Sequence, residues 1–394
     1  IRYFDILTGK TDREEEALLV RANNRTYRSR GIQTRAEYRF NLNEFFFDLE
    51  FGLRYHADEE DRFQWDDSYS MKNKKMVLFM EGIHGTNANR VTSANALAGY
   101  LLAKLRYDAW TVTAGLRYED VDLLKKDYTK EDLARSGKVR IETPNHARVL
   151  IPGVGLHYQL MPAASVFFGI HKGFAPPSAE LYQKPESSVN MELGTRVAIG
   201  NFRAELIGFY NNYSNMLGSD LAASGGAGTL EQFNVGEARV KGAEFLVQYQ
   251  PLPKNCNVRL PLQVSYTYTD TEIRNSFESH SWGNVVRGDE IPYIFKHALN
   301  MQLGIECKWF YANIGARYNS DMRTSPGQGT IAEREKVPAN LIFDASLNVF
   351  VNKYLTVRLN AINLTNRVYL TSRHPAGLRA GHPLGIYAGA NVQF

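Results

Sequence analysis

Alternation of apolar and polar residues with a period of two recurs along this chain, and it restricts the fold to strands with one apolar and one polar face. At the C terminus Ile386, Ala388, Ala390, Val392 and Phe394 share one parity, while Tyr387, Gly389, Asn391 and Gln393 share the other. The same pattern runs through Leu262, Val264, Tyr266 and Tyr268, and through Phe310, Ala312, Ile314, Ala316 and Tyr318. It returns in Leu341 to Val349 and in Leu355, Val357 and Leu359. The polar faces carry amides, hydroxyls and occasional charges, which suits a water-filled interior better than a packed core. A terminal strand that closes on an aromatic residue is a common ending of bacterial outer-membrane barrels.

Connection lengths carry the second argument. Counted back from Phe394, long connections (365–385, 320–338, 270–293, 215–235, 173–187, 121–146) alternate with short ones around Asn352-Lys353, Cys307-Lys308, Pro251 to Asn257, Gly200-Asn201, Met161-Pro162 and Tyr107-Asp108. Short turns at one rim and long loops at the other are the habit of transmembrane barrels. The reading is an all-β chain: an antiparallel meander of about fifteen strands starting near Arg25, forming part of a transmembrane β-barrel. Residues 1–23, with Glu14-Glu15-Glu16, read as the end of an earlier strand and an outer loop. An odd strand count and an opening Ile1-Arg2-Tyr3 give the expectation that this is one domain cut from a longer chain.

Composition agrees and excludes other classes. Aromatics make up 12%, with 22 Tyr and 21 Phe. Lys and Arg number 46 against 42 Asp and Glu, spread along the chain, so there is no basic stripe for nucleic acid. No apolar run approaches the roughly 18–20 residues of a membrane helix. The negative mean hydropathy is compatible with barrel strands, which are apolar on one side only.

Several strings resemble TonB-dependent outer-membrane receptors, in particular the ferric dicitrate receptor branch. His171-Lys172-Gly173-Phe174-Ala175-Pro176-Pro177 is similar to that family's "KGF.APP", and Lys184-Pro185-Glu186 with Asn190 and Glu192-Leu193-Gly194 to its "KPE.S.N.ELG". Glu231-Gln232-Phe233-Asn234 with Val240-Lys241-Gly242, and Asp321-Met322-Arg323-Thr324 with Gly327-Gln328-Gly329, resemble two further family segments. Asn363-Leu364-Thr365-Asn366 with Tyr369, and Ser372-Arg373-His374-Pro375-Ala376-Gly377-Leu378-Arg379, are similar to "DNLTD..Y" and "SRRPAGLRPG". The resemblance implies a barrel of about twenty-two strands, of which residues 1–394 are the C-terminal part. It also implies an N-terminal plug and a TonB-binding box, neither of which is in this sequence, and a ferric citrate or similar chelate as transported ligand. The implied partners are the TonB complex, outer-membrane lipid and lipopolysaccharide, and the implied location is the bacterial outer membrane. No cofactor, catalysis or nucleic-acid partner is implied.

A ferric chelate is an oxygen-rich anion, and guanidinium groups suit it because each presents a planar, permanently charged fork. The candidates are Arg21, Arg28, Arg35, Arg90, Arg274, Arg287, Arg323, Arg373 and Arg379, although loop arginines are commonly solvated or paired. Arg90, where a long loop enters a strand, and Gln232, at the foot of a Gly-rich loop, are the preferred contacts, both by position. Arg35, Arg323, Arg373 and Arg379 complete the ligand set. The glycines of Gly225-Gly226-Ala227-Gly228 and Gly327-Gln328-Gly329 precede no helical pattern and read as loop tips rather than phosphate cradles.

The nine histidines, His280, His374 and His382 among them, lack metal-ligand spacing. Asp58-Glu59-Glu60-Asp61 reads as a charge run at a loop edge, solvated or cation-binding, and no motif of an enzyme appears. Cys256 and Cys307 are expected near one another on adjacent strands at the short-turn rim, where a disulfide is possible, whereas a register shift of two or more residues would leave both as free thiols. Alternative functions are a passive porin-like channel, a receptor for a nickel chelate or a vitamin, and a structural or adhesive surface protein.

Overall fold

The computed structural model describes residues 3–138, 140–180, 182–219, 232–253, 256–279, 282–373 and 377–393. The Gly225–Gly228 run, His280, His374 and Phe394 lie outside the described residues. Among the described residues one antiparallel sheet dominates, and it contains 18 strand segments. Three of these (Arg13–Ala22, Lys75–Met80 and Val258–Arg259) extend the ends of neighbours. The remaining fifteen form a meander in chain order. They are β1 (Arg25–Leu42), β2 (Phe45–Lys72), β3 (Ala88–Tyr107), β4 (Trp110–Asp127), β5 (Ile141–Met161) and β6 (Ala164–Ala175). Then come β7 (Glu186–Ile199), β8 (Phe202–Ser219), β9 (Gln232–Tyr249), β10 (Leu262–Ile273) and β11 (His297–Cys307). The last four are β12 (Phe310–Asn319), β13 (Asn340–Phe350), β14 (Leu355–Ile362) and β15 (Gly385–Val392).

Each strand pairs antiparallel with the next. Among the described residues β1 pairs only with β2 and β15 only with β14 within the meander, so the sheet does not close. The strand count and the outward apolar parity are those expected from the sequence. Leu53, Leu97, Leu116, Leu150, Met301, Leu303, Ile314, Leu359 and Ile386 are all exposed on the apolar face. The opposite face carries Gln248 and Gln263, hydrogen-bonded to each other at 3.0 Å, and Arg317 and Asn360.

The short-turn rim follows from local chemistry. Two-residue hairpin turns need φ > 0, which Asn, Asp and Gly tolerate best. Asn43 (φ 54), Asp108 (φ 48) and Gly200 (φ 58) supply it between β1 and β2, β3 and β4, and β7 and β8. At this rim the cysteines take the second of the two expected arrangements. The register sets Val258 opposite Cys307 and Leu262 opposite Leu303, two residues away from the one that would join Cys256 to Cys307. Both thiols are free.

The N-terminal residues also differ from expectation. Arg13–Ala22 is not the tail of a separate strand; it continues β1 upward along β2, with Ala22 opposite Trp65 and Arg13 opposite Met71. Asn23-Asn24 interrupts the run, and Phe63 N donates to Asn24 O across the break. The short helix Tyr3–Leu7 packs Ile6 against Leu18, Met71 and Tyr69, a small apolar cluster above the long-loop rim.

Candidate functional site

The polar face and the long-loop rim meet where β1, β2 and β3 begin to leave the sheet. Side chains directly opposite on antiparallel strands point to the same face, about 4.5–5.5 Å apart at Cβ. Register places Arg25 opposite Arg62 and Arg62 opposite Arg90, so three arginines form one row across three strands. The row shares the parity of Asp48, Glu50, His56, Asp58 and Glu60 on β2, which is the polar face. Arg62 is 2% exposed. Burial, and next the charges of Arg90 and Arg25, push its guanidinium down to about 10, so it still carries its charge at neutral pH. Glu60 lies 3.7 Å from Arg25 and also accepts from Tyr27 Oη at 3.2 Å. Asp127 stands opposite Arg90 and accepts from Thr129 N at 3.0 Å.

A folded loop is anchored at the same level on the opposite face of the sheet, through Asp61, Phe63 and Asn89, whose parity is the reverse of the row's. Arg135, at φ 55, donates to both oxygens of Asp61 (2.7 and 2.9 Å) and to Asn89 Oδ1 (2.7 Å). Its guanidinium also lies over the rings of Phe63 and Tyr128. Asn89 in turn donates to the carbonyls of Thr129 and Asp132, and Asp132 accepts from Ser136 N and Gly137 N. Hydrogen bonding from Arg135 holds the Asp61 carboxyl below the usual carboxylate range. A depressed carboxyl pKa contributes stability above the unfolded value of about 3.9, and that contribution is lost as pH falls through the lowered value. Amides of 128–138 should therefore stay protected from hydrogen exchange at neutral pH and lose protection below about pH 4. In Arg135→Ala they should exchange quickly at both, and a loop still protected in that variant would refute the latch.

The charge run Asp58-Glu59-Glu60-Asp61 is thereby corrected. It lies within β2, not at a loop edge, because each carboxylate meets a partner: Asp58 meets His56 on the same strand, and Glu59, Glu60 and Asp61 meet Arg28, Arg25 and Arg135 on neighbouring elements.

A second loop folds inward. Ala179 packs on Val121 and Leu123, and Asn145 Nδ2 donates to the carbonyls of Ser178, Glu180 and Gln183 at 2.9–3.1 Å. Asn234 Nδ2 donates to Lys184 O and Asn215 O, and Glu186 accepts from Leu217 N. On the far side of the sheet Arg323, 7% exposed, donates to Glu290 Oε2 at 2.6 Å and to Gly329 O at 2.9 Å. Gln328 reaches Arg287 O and Asp289, and Arg373 donates to Lys336 O (2.6 Å) and Glu333 O (2.9 Å). Asn363, fully buried, bridges Arg367 and His382. The polar cavity there, about 290 Å³, is lined by Asp270, Glu290 and Asp321 as well as Lys296, Arg323 and Lys336, so it presents no net positive field.

The sequence-derived ligand set therefore divides. Arg90 stands in the basic row, with no hydrogen-bond or ion-pair partner among the described residues. Arg35 sits in mid β1 opposite Gly52, 3.1 Å from Glu37, well below the rim. Arg323 and Arg373 are committed to loop structure. Arg379 is exposed in a short pairing with Ser372. Gln232 opens β9 opposite Ser219, and its side chain lies outside the described residues. Arg21 is paired with Asp66 and Arg28 with Glu59. Arg25 and Arg62 were missed, because their juxtaposition with Arg90 follows from strand register and leaves no local motif.

The sequence profile of the family described as "TonB dependent receptor-like, beta-barrel" matches residues 3–364. This chain belongs to that family. The receptor is similar in fold to the unliganded ferric citrate transporter FecA (TM-score 0.70, 19% identity, 95% of this chain and 56% of that one). It is likewise similar to the siderophore receptor PiuA from Acinetobacter baumannii (TM-score 0.74, 16% identity, 95% and 57%). A third match is the ferric-catecholate import receptor Fiu from E. coli K12 in its closed form (TM-score 0.73, 17% identity, 94% and 55%). The receptor chain thus spans little more than half the length of the solved structures it matches.

Proposed function

We propose that this receptor takes up an anionic iron(III) chelate, ferric citrate or a chelate like it, across the bacterial outer membrane. The reading rests on the row Arg25–Arg62–Arg90, three guanidiniums in register on the polar face just below the long loops. Arg90, half-buried, is the member that offers an anion hydrogen bonds, while buried Arg62 and Arg25, held by Glu60 and Tyr27, back it with fixed charge. The motif strings of the dicitrate branch support the finer assignment, and FecA supports it as a ferric citrate transporter of similar fold. In this reading residues 1–394 are the C-terminal part of the barrel. The preceding part of the full-length chain supplies the plug, the TonB-binding box and about seven more strands. The apolar outer belt meets lipid, and the loops meet lipopolysaccharide. The work of the protein is binding and gating, with iron as cargo and no resident cofactor.

The test is a binding titration of the full-length receptor, at low salt, with ferric citrate, a ferric catecholate, a nickel chelate and a cobalamin. The anionic ferric chelates should bind with an affinity that falls as salt rises. Binding of the cobalamin or the nickel chelate alone would overturn the cargo assignment. Uptake that proceeds without TonB would replace active transport by a passive channel.

A further inference from the structure

The polar side chains at the top of β4 and β5 include one group that neither the basic row nor the folded loops use. On these strands the outward parity runs from Trp110 and Tyr158 through Leu116, Tyr118 and Leu150, all facing away from the polar interior. Directly above Tyr118 the same parity continues with Asp120 and Asp122 on β4, and with Arg148 and His146 opposite them on β5. The site is therefore on the outside of the sheet, above the apolar belt and reachable from water.

Its geometry is that of an imidazole pointing between two carboxylates. His146 Nε2 lies 2.7 Å from Asp120 Oδ1 and 3.7 Å from Asp122 Oδ1. One donor atom from each of the three residues falls within 4.8 Å of the other two, and this is the one such group found among the described residues. Ligand atoms on a tetrahedral Zn²⁺ at ~2.1 Å stand about 3.4 Å apart, which the two measured separations bracket. The other oxygen of Asp120 is occupied: it accepts from Arg148 Nε at 2.9 Å and from Tyr118 Oη at 3.3 Å. That pair of donors fixes the carboxylate so that Oδ1 faces His146, the role that outer partners play for metal-bound carboxylates. One imidazole with two carboxylates is a mixed donor set, matching Zn²⁺ better than the all-oxygen preference of Ca²⁺ or Mg²⁺.

We propose that Asp120, Asp122 and His146 form a binding site for a divalent transition cation, with Zn²⁺ as the best-fitting ion and water in the open position. The site is independent of chelate uptake: it lies on the opposite face of the sheet from Arg90.

The test is calorimetric titration of the full-length, tag-free receptor in detergent with ZnCl₂, CaCl₂ and MgCl₂, in two buffers of different ionisation enthalpy. One saturable Zn²⁺ site is expected, with the same affinity after correction for buffer heats, and much weaker Ca²⁺ and Mg²⁺ binding. Asp122→Asn and His146→Gln should each weaken Zn²⁺ by about tenfold or more, whereas His84→Gln and Arg90→Ala should bind it as the parent does. Asp122 is 75% exposed, so its substitution leaves folding intact and keeps the test sound if the histidine variant misfolds. Absence of saturable Zn²⁺ heat, or unchanged affinity in Asp122→Asn, would reduce the group to a hydrogen-bonded surface cluster of His146 and Asp120. Equal affinity for Ca²⁺ would overturn the choice of metal.

Discussion

Arg90→Ala in the full-length receptor is expected to weaken ferric citrate binding by about ten- to a hundredfold, the loss of one charged hydrogen bond worth about 1.5–3 kcal/mol. Arg117→Ala is the matched control. Arg117 also faces the polar interior, but Glu119 engages it at 2.6 Å and its guanidinium lies over the Tyr100 ring, so its charge is already answered. Arg90 stands between Arg62 and Asp127 across the strands, and its side chain bonds to neither, so its guanidinium is left for a ligand. Dissociation constants measured at low salt, where screening is weakest, should separate the two variants most clearly. Equal constants would remove Arg90 from the ligand site. Retained binding in Arg90→Ala with loss in Arg62→Met would move the contact one strand over.

Arg323→Ala should unfold the outer loops on the far side without touching the ligand row. Arg323 joins Glu290 in the loop between β10 and β11 to Gly329 in the loop between β12 and β13. Removing one partner of a buried pair costs about 3–5 kcal/mol, because the other charge is left behind. Glu290 is 36% exposed and can regain water, so about 2–3 kcal/mol is the better expectation here. Loops 274–296 and 320–339 should become protease-sensitive and exchange their amides about thirty- to a hundred-and-fifty-fold faster, the factor that such an energy implies. A variant with wild-type loop protection and lost chelate binding would instead make Arg323 a ligand contact.

These two arginines show where sequence reading succeeds and where it stops. Arg323 sits in a recognisable string, and the string marks it as important without saying for what. Its side chain turns out to hold two loops together. The same holds for Asn145, Asn234 and Asn363, each of which satisfies the backbone of a neighbouring loop. A long loop without regular structure needs such partners for its polar groups, so these residues are demanded by the loops themselves. Arg62 is the reverse case. It ends a run of acids that looks like a solvated loop edge, yet it is among the largest fully buried side chains of the receptor.

Strand number, the face each residue takes and the placement of short turns were decided by the sequence alone. They depend on local quantities: a side-chain period of two, and the few residues that accept φ > 0 in a two-residue turn. Register was decided only in the tertiary structure. A shift of two residues keeps every side chain on its own face and leaves the hydrophobic pattern intact, so the pattern has no power to choose between the alternatives. That is why the parity of β10 and β11 was right while Cys256 missed Cys307 by two positions. It is also why Arg25, Arg62 and Arg90 became one row, and Asp120, Asp122 and His146 one cluster, only when the strands were laid side by side.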